Sequence, residues 1–255
     1  MEHATRHLSL RLAAGERDLH AVQRLRYDVF VDELGGEGAL VDHRMRLERD
    51  RFDPHCDHLT VFDASLRAGE DAVATYRLMR GEAARAGEGF YCAGEYDLSP
   101  LQRSGRKMLE CGRSCVRRGY RDGQALFLLW QGIADYIDAH DSEILFGVAS
   151  FHGTDPEALA EPLSLLHHRH LAPPDLRVSA IGPNARPMQM LPADAIDRAR
   201  AVAMLPPLLK SYLRLGGFVG DGAWIDRDFN TVDVCLVVDA ARLSERAQKL
   251  YRATG

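Results

Sequence analysis

The chain has 255 residues, a formal net charge of −5 and five cysteines. That length supports a sizeable core in one large domain or two small ones, and an acidic chain offers no overall field for nucleic acid. The odd cysteine count and a charged start without an apolar leader point to reduced thiols in a cytoplasmic protein.

"LSLRLA" alternates apolar and polar residues and is predicted to be a strand. Leu19, Val22, Leu25, Val29 and Phe30 fall at helical spacing after Gly15, and Gly35 and Gly36 end that helix. A polar loop then runs to about Asp57. "HLTVFDA" and "DAVATYRLMR" are predicted as a hairpin around a turn-like "ASLRAGED". "RKMLECGRSCV" is the next strand. "DGQALFLLWQGIADYIDAH" is a helix with Asp122 as N-cap, and "EILFGVASF" is a buried central strand. A helix over "TDPEALAEPLSLLHHRH" and an irregular Pro-rich stretch follow. Two helical pieces then break at Pro206 and Pro207, and "FVGDGAWIDRDFNTVDVCLVVDA" carries closing strand signals. No repeat or long linker divides the chain. The expectation is one α/β domain over residues 1–255, a mixed central sheet with helices on both faces, and a helical and irregular insertion at about 155–215.

Metal chemistry is poorly supported. "HCDH" at residues 55–58 offers zinc-type ligands, but consecutive strand residues point to opposite faces and no second pair stands at zinc spacing. "HHRH" at 167–170 is the polar end of a helix. No G-x-S-x-G elbow, C-x-x-C pair, G-x-G-x-x-G loop or phosphate-binding lysine loop occurs, so no cofactor is expected. What remains is an arrangement of charge: Arg26 on the first helix, Glu48, Asp50 and Asp53 in the polar loop, Arg77 in "ATYRLM", and Glu110 with Arg113 in "LECGRS". Arginine in a half-buried strand is most often a satisfied ion pair.

The order of these residues resembles the acyl-homoserine-lactone synthases and their relatives in the GNAT N-acyltransferase superfamily. Arg26 and Phe30 come first, then Glu48, Asp50 and Asp53, then Arg77, then Glu110 and Arg113. "FDPHCDHL", "ATYRLM", "GEYDL", "ECGRSCV", "LLWQGIADY" and "LFGVASFHG" are similar to the ornithine N-acyltransferases that begin ornithine-lipid synthesis. The likeness spans about Arg26 to Gly153. It implies a GNAT-like fold and transfer of a 3-hydroxyacyl chain from acyl carrier protein to the α-amino group of L-ornithine. The donor brings its own phosphopantetheine arm, so no separate cofactor is implied. The GNAT pyrophosphate signature is missing from "RRGYRDG", which suits a carrier-protein donor.

On this resemblance Glu110, Arg113 and Arg77 are the catalytic set, with Glu110 as base. Glu110 as a structural partner of Arg113 or Arg77 is an equal alternative. Arg26, Phe30, Glu48, Asp50 and Asp53 would bind substrate, or else form an ion-pair network that orders the loop. Gly112 would permit a bulge that frees a backbone N–H for an oxyanion, and Ser150 or His152 could protonate the leaving thiolate. Arg103, Arg106, Lys107, Arg117, Arg118 and Arg121 would receive the acidic carrier protein. The rival acyl-homoserine-lactone synthase reading is weakened because both tryptophans, Trp130 and Trp224, lie late in the chain. A non-catalytic binding module has no need of the Glu110, Arg77 and Arg113 set. The longest apolar run, Ala125 to Ala134, is too short to span a bilayer, so membrane contact would be peripheral, on the inner face of the cytoplasmic membrane. Leu205 to Gly217 is either such a contact or, preferably, a core helix.

Overall fold

The computed structural model describes residues 6–38 and 41–240. In chain order its elements are β1 (Leu8–Leu12), α1 (Gly15–Arg26), β2 (Asp57–Asp63), β3 (Ala72–Arg80), α2 (Gly81–Ala86), β4 (Tyr96–Asp97), α3 (Ser99–Arg103), β5 (Met108–Val116), α4 (Gln124–His140) and β6 (Ile144–His152). After these come α5 (Ala160–His170), β7 (Ser179–Ala180), β8 (Ala185–Arg186), α6 (Arg198–Met204), α7 (Pro207–Arg214), β9 (Phe218–Val219), β10 (Ala223–Asp226) and β11 (Thr231–Asp239). The chain divides into two compact units. One holds residues 6–88 and 111–141, the other residues 89–110 and 142–240.

In the first unit β1, β2, β3 and the C-terminal part of β5 are neighbours in that order. The expected hairpin is present: β2 and β3 pair antiparallel, with a register shift between Val61 and Phe62. The first helix departs from expectation, because α1 ends at Arg26 and the chain continues as a π-helix over Tyr27–Glu33. Ala21, Leu25 and Val29 pack with Phe62, Ala72 and Cys115, and Phe30 lies half-buried against them. α4 packs where Leu10 and Leu59 project. A Cβ on Gly132 would stand 2.6 Å from a Leu10 methyl and 2.9 Å from one of Leu59, so glycine sets how closely this helix approaches. The cap differs by one residue. Gly123, with φ 100°, precedes the helix, while Asp122 still accepts from the Gln124 N–H at 3.2 Å.

In the second unit Met108–Glu110 of β5 pairs parallel with Ile144–Phe146 of β6. β6 pairs antiparallel with all of β11, which accounts for its apolar run. β10 and β8 extend this side, and β9 also pairs with β11. The 155–215 stretch contributes α5, α6 and α7, with two short strands that sequence patterning misses because each has only two residues. α6 and α7 break at Pro206 as expected.

Leu205, Leu209 and Tyr212 of the Leu205–Gly217 stretch are buried, and α7 packs on β11, so this face of α7 is core. Among the described residues no helix is long and apolar enough to cross a membrane. Leu209 is 0% exposed whereas Leu208 is only half-buried. Leu209→Ser should therefore cost more than the ~2–5 kcal/mol typical of emptying a core leucine site, and Leu208→Ser much less. Urea unfolding of the two variants checks this ordering.

Candidate functional site

The end of α1, the loop before β2, and strands β3 and β5 bring six charged residues together in the first unit. Arg26 is 0% exposed. Its Nε donates to Glu48 and its Nη1 to Asp53 Oδ1 at 2.7 Å. Arg77 Nη1 reaches both Asp50 oxygens at 2.6 Å and Asp53 Oδ1 at 3.0 Å. Arg113 Nη2 donates to Asp50 Oδ2 at 3.0 Å, and its Nε stands 3.4 Å from Glu48. Gln23 completes Asp53 from α1 at 3.0 Å. Three guanidinium groups thus meet three carboxylates, and the sum of their charges is zero.

Burial alone would raise Glu48, Asp50 and Asp53. The arginine charges outweigh it, and all three are held below the usual carboxylate range. His58, beside them on β2, is buried with its Nδ1 unpartnered. Desolvation, reinforced by Arg26, pushes it down to about 4, so it is neutral at pH 7.

These placements bear differently on the expectations. Glu48, Asp50, Asp53, Arg26, Arg77 and Arg113 are brought together, as a neutral network that fastens the polar loop. Glu110 lies in the second unit. Its carboxylate accepts the Tyr91 N–H at 2.9 Å and the Cys92 N–H at 2.7 Å, anchoring the 3₁₀ turn Tyr91–Gly94. It is also the last β5 residue with a β6 partner, Phe146. Next to Gly112, Arg113 has φ 50°, a conformation that costs a non-glycine residue roughly 1–2 kcal/mol.

The basic residues separate too. Arg117 is spent on the backbone carbonyls of Glu70 and Ala72 at 3.0 and 3.1 Å, and Arg121 on Val116 O and Glu33 at 2.9 Å each. Arg118 is 81% exposed and stands 3.8 Å from Glu33. In the other unit Arg103 donates to Ser99 Oγ, Arg106 bonds Asp239 and the Glu143 carbonyl, and Lys107 is exposed. Residues 55–58 do not converge: Asp57 accepts from Tyr136 at 2.6 Å, and His58 faces Asp53 O at 3.4 Å.

A second acidic group went unread in the sequence. Glu95, Asp226 and Asp233 are all buried, with oxygens within 4.8 Å of one another. The available signal was Asp233, an acid in the middle of the apolar strand "TVDVCLVV".

Comparison with known proteins bears on what this arrangement serves. The family model for the acetyltransferase (GNAT) domain matches residues 25–131. The L-ornithine N(alpha)-acyltransferase of Rhodobacter capsulatus is 52% identical over 95% of this chain and 93% of its own length. The enzyme of the same name from Brucella abortus is 42% identical over 96% of this chain and 89% of its own. The chain belongs to the L-ornithine N(alpha)-acyltransferase family. Among solved structures, an N-acyl amino acid synthase from uncultured soil microbes superposes with a TM-score of 0.55, covering 96% of this chain and 98% of its own at 11% identity, a likeness of fold. The GNAT-like α/β fold expected of this family is therefore the one observed, with a mixed sheet and helices on it.

The network predicts how an acyltransferase of this family responds to acid. Folded His58 takes its proton only near pH 4, against an ordinary value of 6.5. The unfolded chain therefore binds that proton first, and stability falls from about pH 6.5 downward, by about 2 kcal/mol at pH 5. The depressed carboxylates continue the loss at lower pH. His58→Gln should flatten the upper part of this decline in urea titrations. Arg26→Met, which leaves Glu48 and Asp53 buried beside an uncharged side chain, should cost about 3–5 kcal/mol.

Proposed function

We propose that the protein transfers a 3-hydroxyacyl chain from acyl carrier protein to the α-amino group of L-ornithine, giving a lyso-ornithine lipid. The observation that carries this reading is the 52% identity over nearly the whole of both chains with a relative of that acceptor specificity. Two features of the fold support it. A carboxylate, Glu110, is buried and held by two backbone N–H groups at the end of the β5–β6 pairing. The turn before α4 carries arginines in place of a pyrophosphate-binding glycine loop.

Aminolysis of a thioester needs the neutral amine, and the proton must pass to a base directly or through water. Each Glu110 oxygen accepts one N–H and keeps a further lone pair for that purpose. The α-nitrogen then attacks the thioester carbonyl, the C–N bond forms, and the C–S bond breaks as the thiolate leaves. Ser150 and His152, both exposed on β6, are the groups offered for protonating it. The chain's own role is otherwise to position and to exclude water. Arg77 and Arg113 are engaged in the ion-pair network of the first unit.

The direct test combines purified protein, 3-hydroxyacyl carrier protein and labelled L-ornithine. Labelled lyso-lipid is the expected product, and its absence with a competent donor overturns the reading. Glu110→Gln should lower kcat by about 10²–10⁴-fold if the carboxylate is the base. The amide retains an acceptor for only one of the two N–H groups, so the variant should also lose roughly 1–3 kcal/mol of stability. A folded variant with normal turnover would reduce Glu110 to the anchor of the Tyr91 turn.

For the carrier protein, Arg118 is the informative position because it is exposed and holds up no backbone. Arg118→Glu should raise KM for the acyl carrier and leave the melting temperature unchanged. Arg117 is a poor probe, since its loss releases two carbonyls. An unchanged KM at low salt for Arg118→Glu removes this surface from the docking face.

A further inference from the structure

Glu95, Asp226 and Asp233 form the one group among the described residues with metal-ligand donor chemistry, and the reaction outlined above does not use it. All three are buried, Glu95 and Asp226 appear in no described ion pair with a cation, and Glu95 Oε2 has no hydrogen-bond partner. Burial first, then the charges of Asp233 and Asp226, push Glu95 well above the usual carboxylate range. A hydrogen bond from the Tyr91 side chain works the other way, and the balance is unfavourable to negative charge, the condition a bound cation would relieve.

A second, independent feature points into the same place. Thr231 Oγ1 is buried without a partner, on a residue 7% exposed. Thr231 lies directly across from Asp226 in the β10–β11 pairing, and Asp233 is two residues along the same strand. Cross-strand partners and i, i+2 neighbours share a face of a sheet, so the Thr231 hydroxyl stands on the face that carries both aspartates. The same register places His152 opposite Thr231 and Ser150 opposite Asp233. Both are exposed, so this face reaches solvent at β6. Tyr91 joins the cluster to Glu110: its hydroxyl is 3.5 Å from Asp226 Oδ2, while its backbone N–H is bonded to Glu110.

We infer that Glu95, Asp226 and Asp233, with the Thr231 hydroxyl, are the pocket for the side-chain ammonium of the diamino-acid acceptor. This rests on the ornithine reading above and assigns the end of the molecule that does not react. An ammonium group brings one positive charge and three N–H donors to a site made of oxygen acceptors. The other carboxylates singled out in the chain cannot do this, because Arg26, Arg77 and Arg113 already neutralise them. Tyr91 bridges the two carboxylates: its backbone nitrogen is 2.9 Å from Glu110 and its hydroxyl 3.5 Å from Asp226.

The test compares L-ornithine with L-norvaline, which has the same carbon chain without the terminal amine, as acceptors for the wild type, Asp226→Asn and Thr231→Val. Asp226→Asn keeps an acceptor for the Phe229 N–H that Asp226 Oδ1 now receives at 2.9 Å, so the turn is preserved. The wild type should prefer ornithine strongly, and Asp226→Asn should cut that preference in kcat/KM by about thirtyfold or more, mainly through KM. Thr231→Val should cut it by a smaller factor. Calorimetric binding of ornithine should weaken in parallel. Equal loss for both acceptors, with the preference intact, overturns the pocket and leaves ornithine acylation standing. So does tight binding of Mn²⁺ to the wild type that Asp226→Asn abolishes. Ornithine binding that depends on Asp226 in a wild type unable to acylate it would sink the reaction and keep the pocket. A wild type that neither binds nor acylates ornithine overturns both.

Discussion

Two buried arginines and a third that is half-buried, answered by three carboxylates, hold the first unit in its shape. Arg26 ends α1, Arg77 sits in the middle of β3, Arg113 lies on β5, and their partners all come from the short segment Glu48–Asp53. A loop this polar has few apolar side chains with which to fasten itself to a sheet. Charge-assisted hydrogen bonds do it instead. The desolvation that would make any one of these ions costly is offset only while all are present. Lysine would not serve: each guanidinium reaches two carboxylates at once, which a single ammonium does less well at fixed geometry. Arg113 carries this load from a left-handed backbone, with φ 50°. Its side chain is held from Asp50 and Glu48.

Neutrality in one place sharpens the meaning of imbalance in another. A carboxylate set that already has its cations presents no net charge to a substrate. In the Glu95, Asp226 and Asp233 set the neighbours are close and alike in charge, and burial with that like charge pushes Glu95 well above the usual carboxylate range. Such an arrangement destabilises the resting fold relative to an apolar replacement. Groups that shift this far through burial and like charge are characteristic of functional sites.

Much of the architecture was legible because its elements are long and periodic. The β2–β3 hairpin, the buried β6 strand, α4 and the Pro206 break all follow from apolar spacing and turn residues. Two-residue strands such as β4 and β7 carry no periodicity and were invisible. At the site, residue types and their order pointed to Arg26, Glu48, Asp50, Asp53, Arg77 and Arg113, yet the pattern could not say which acid meets which base. It suggested Arg113 or Arg77 as a partner for Glu110, and two backbone N–H groups occupy that carboxylate in the turn beginning at Tyr91. Backbone donors leave no trace in a pattern of side chains. The Glu95 cluster escaped for a related reason. Its members stand at positions 95, 226 and 233, and only the fold brings them together.

The Tyr91–Tyr96 segment shows how one short turn can serve several such groups. Its start is fixed by Glu110 through two N–H bonds, and its end by the Tyr96 hydroxyl on the carbonyls of Asp233 and Gly222. Between them Cys92 is packed against Cys235 of β11, buried and far above the ordinary thiol range through desolvation, so it is inert filler and no nucleophile. Glu95 is therefore presented to β10 and β11 by a segment pinned at both ends. Its carboxylate is buried beside Asp226 and Asp233. The fold sets three carboxylates close together, and a bound cation is the simplest way to relieve their like charge.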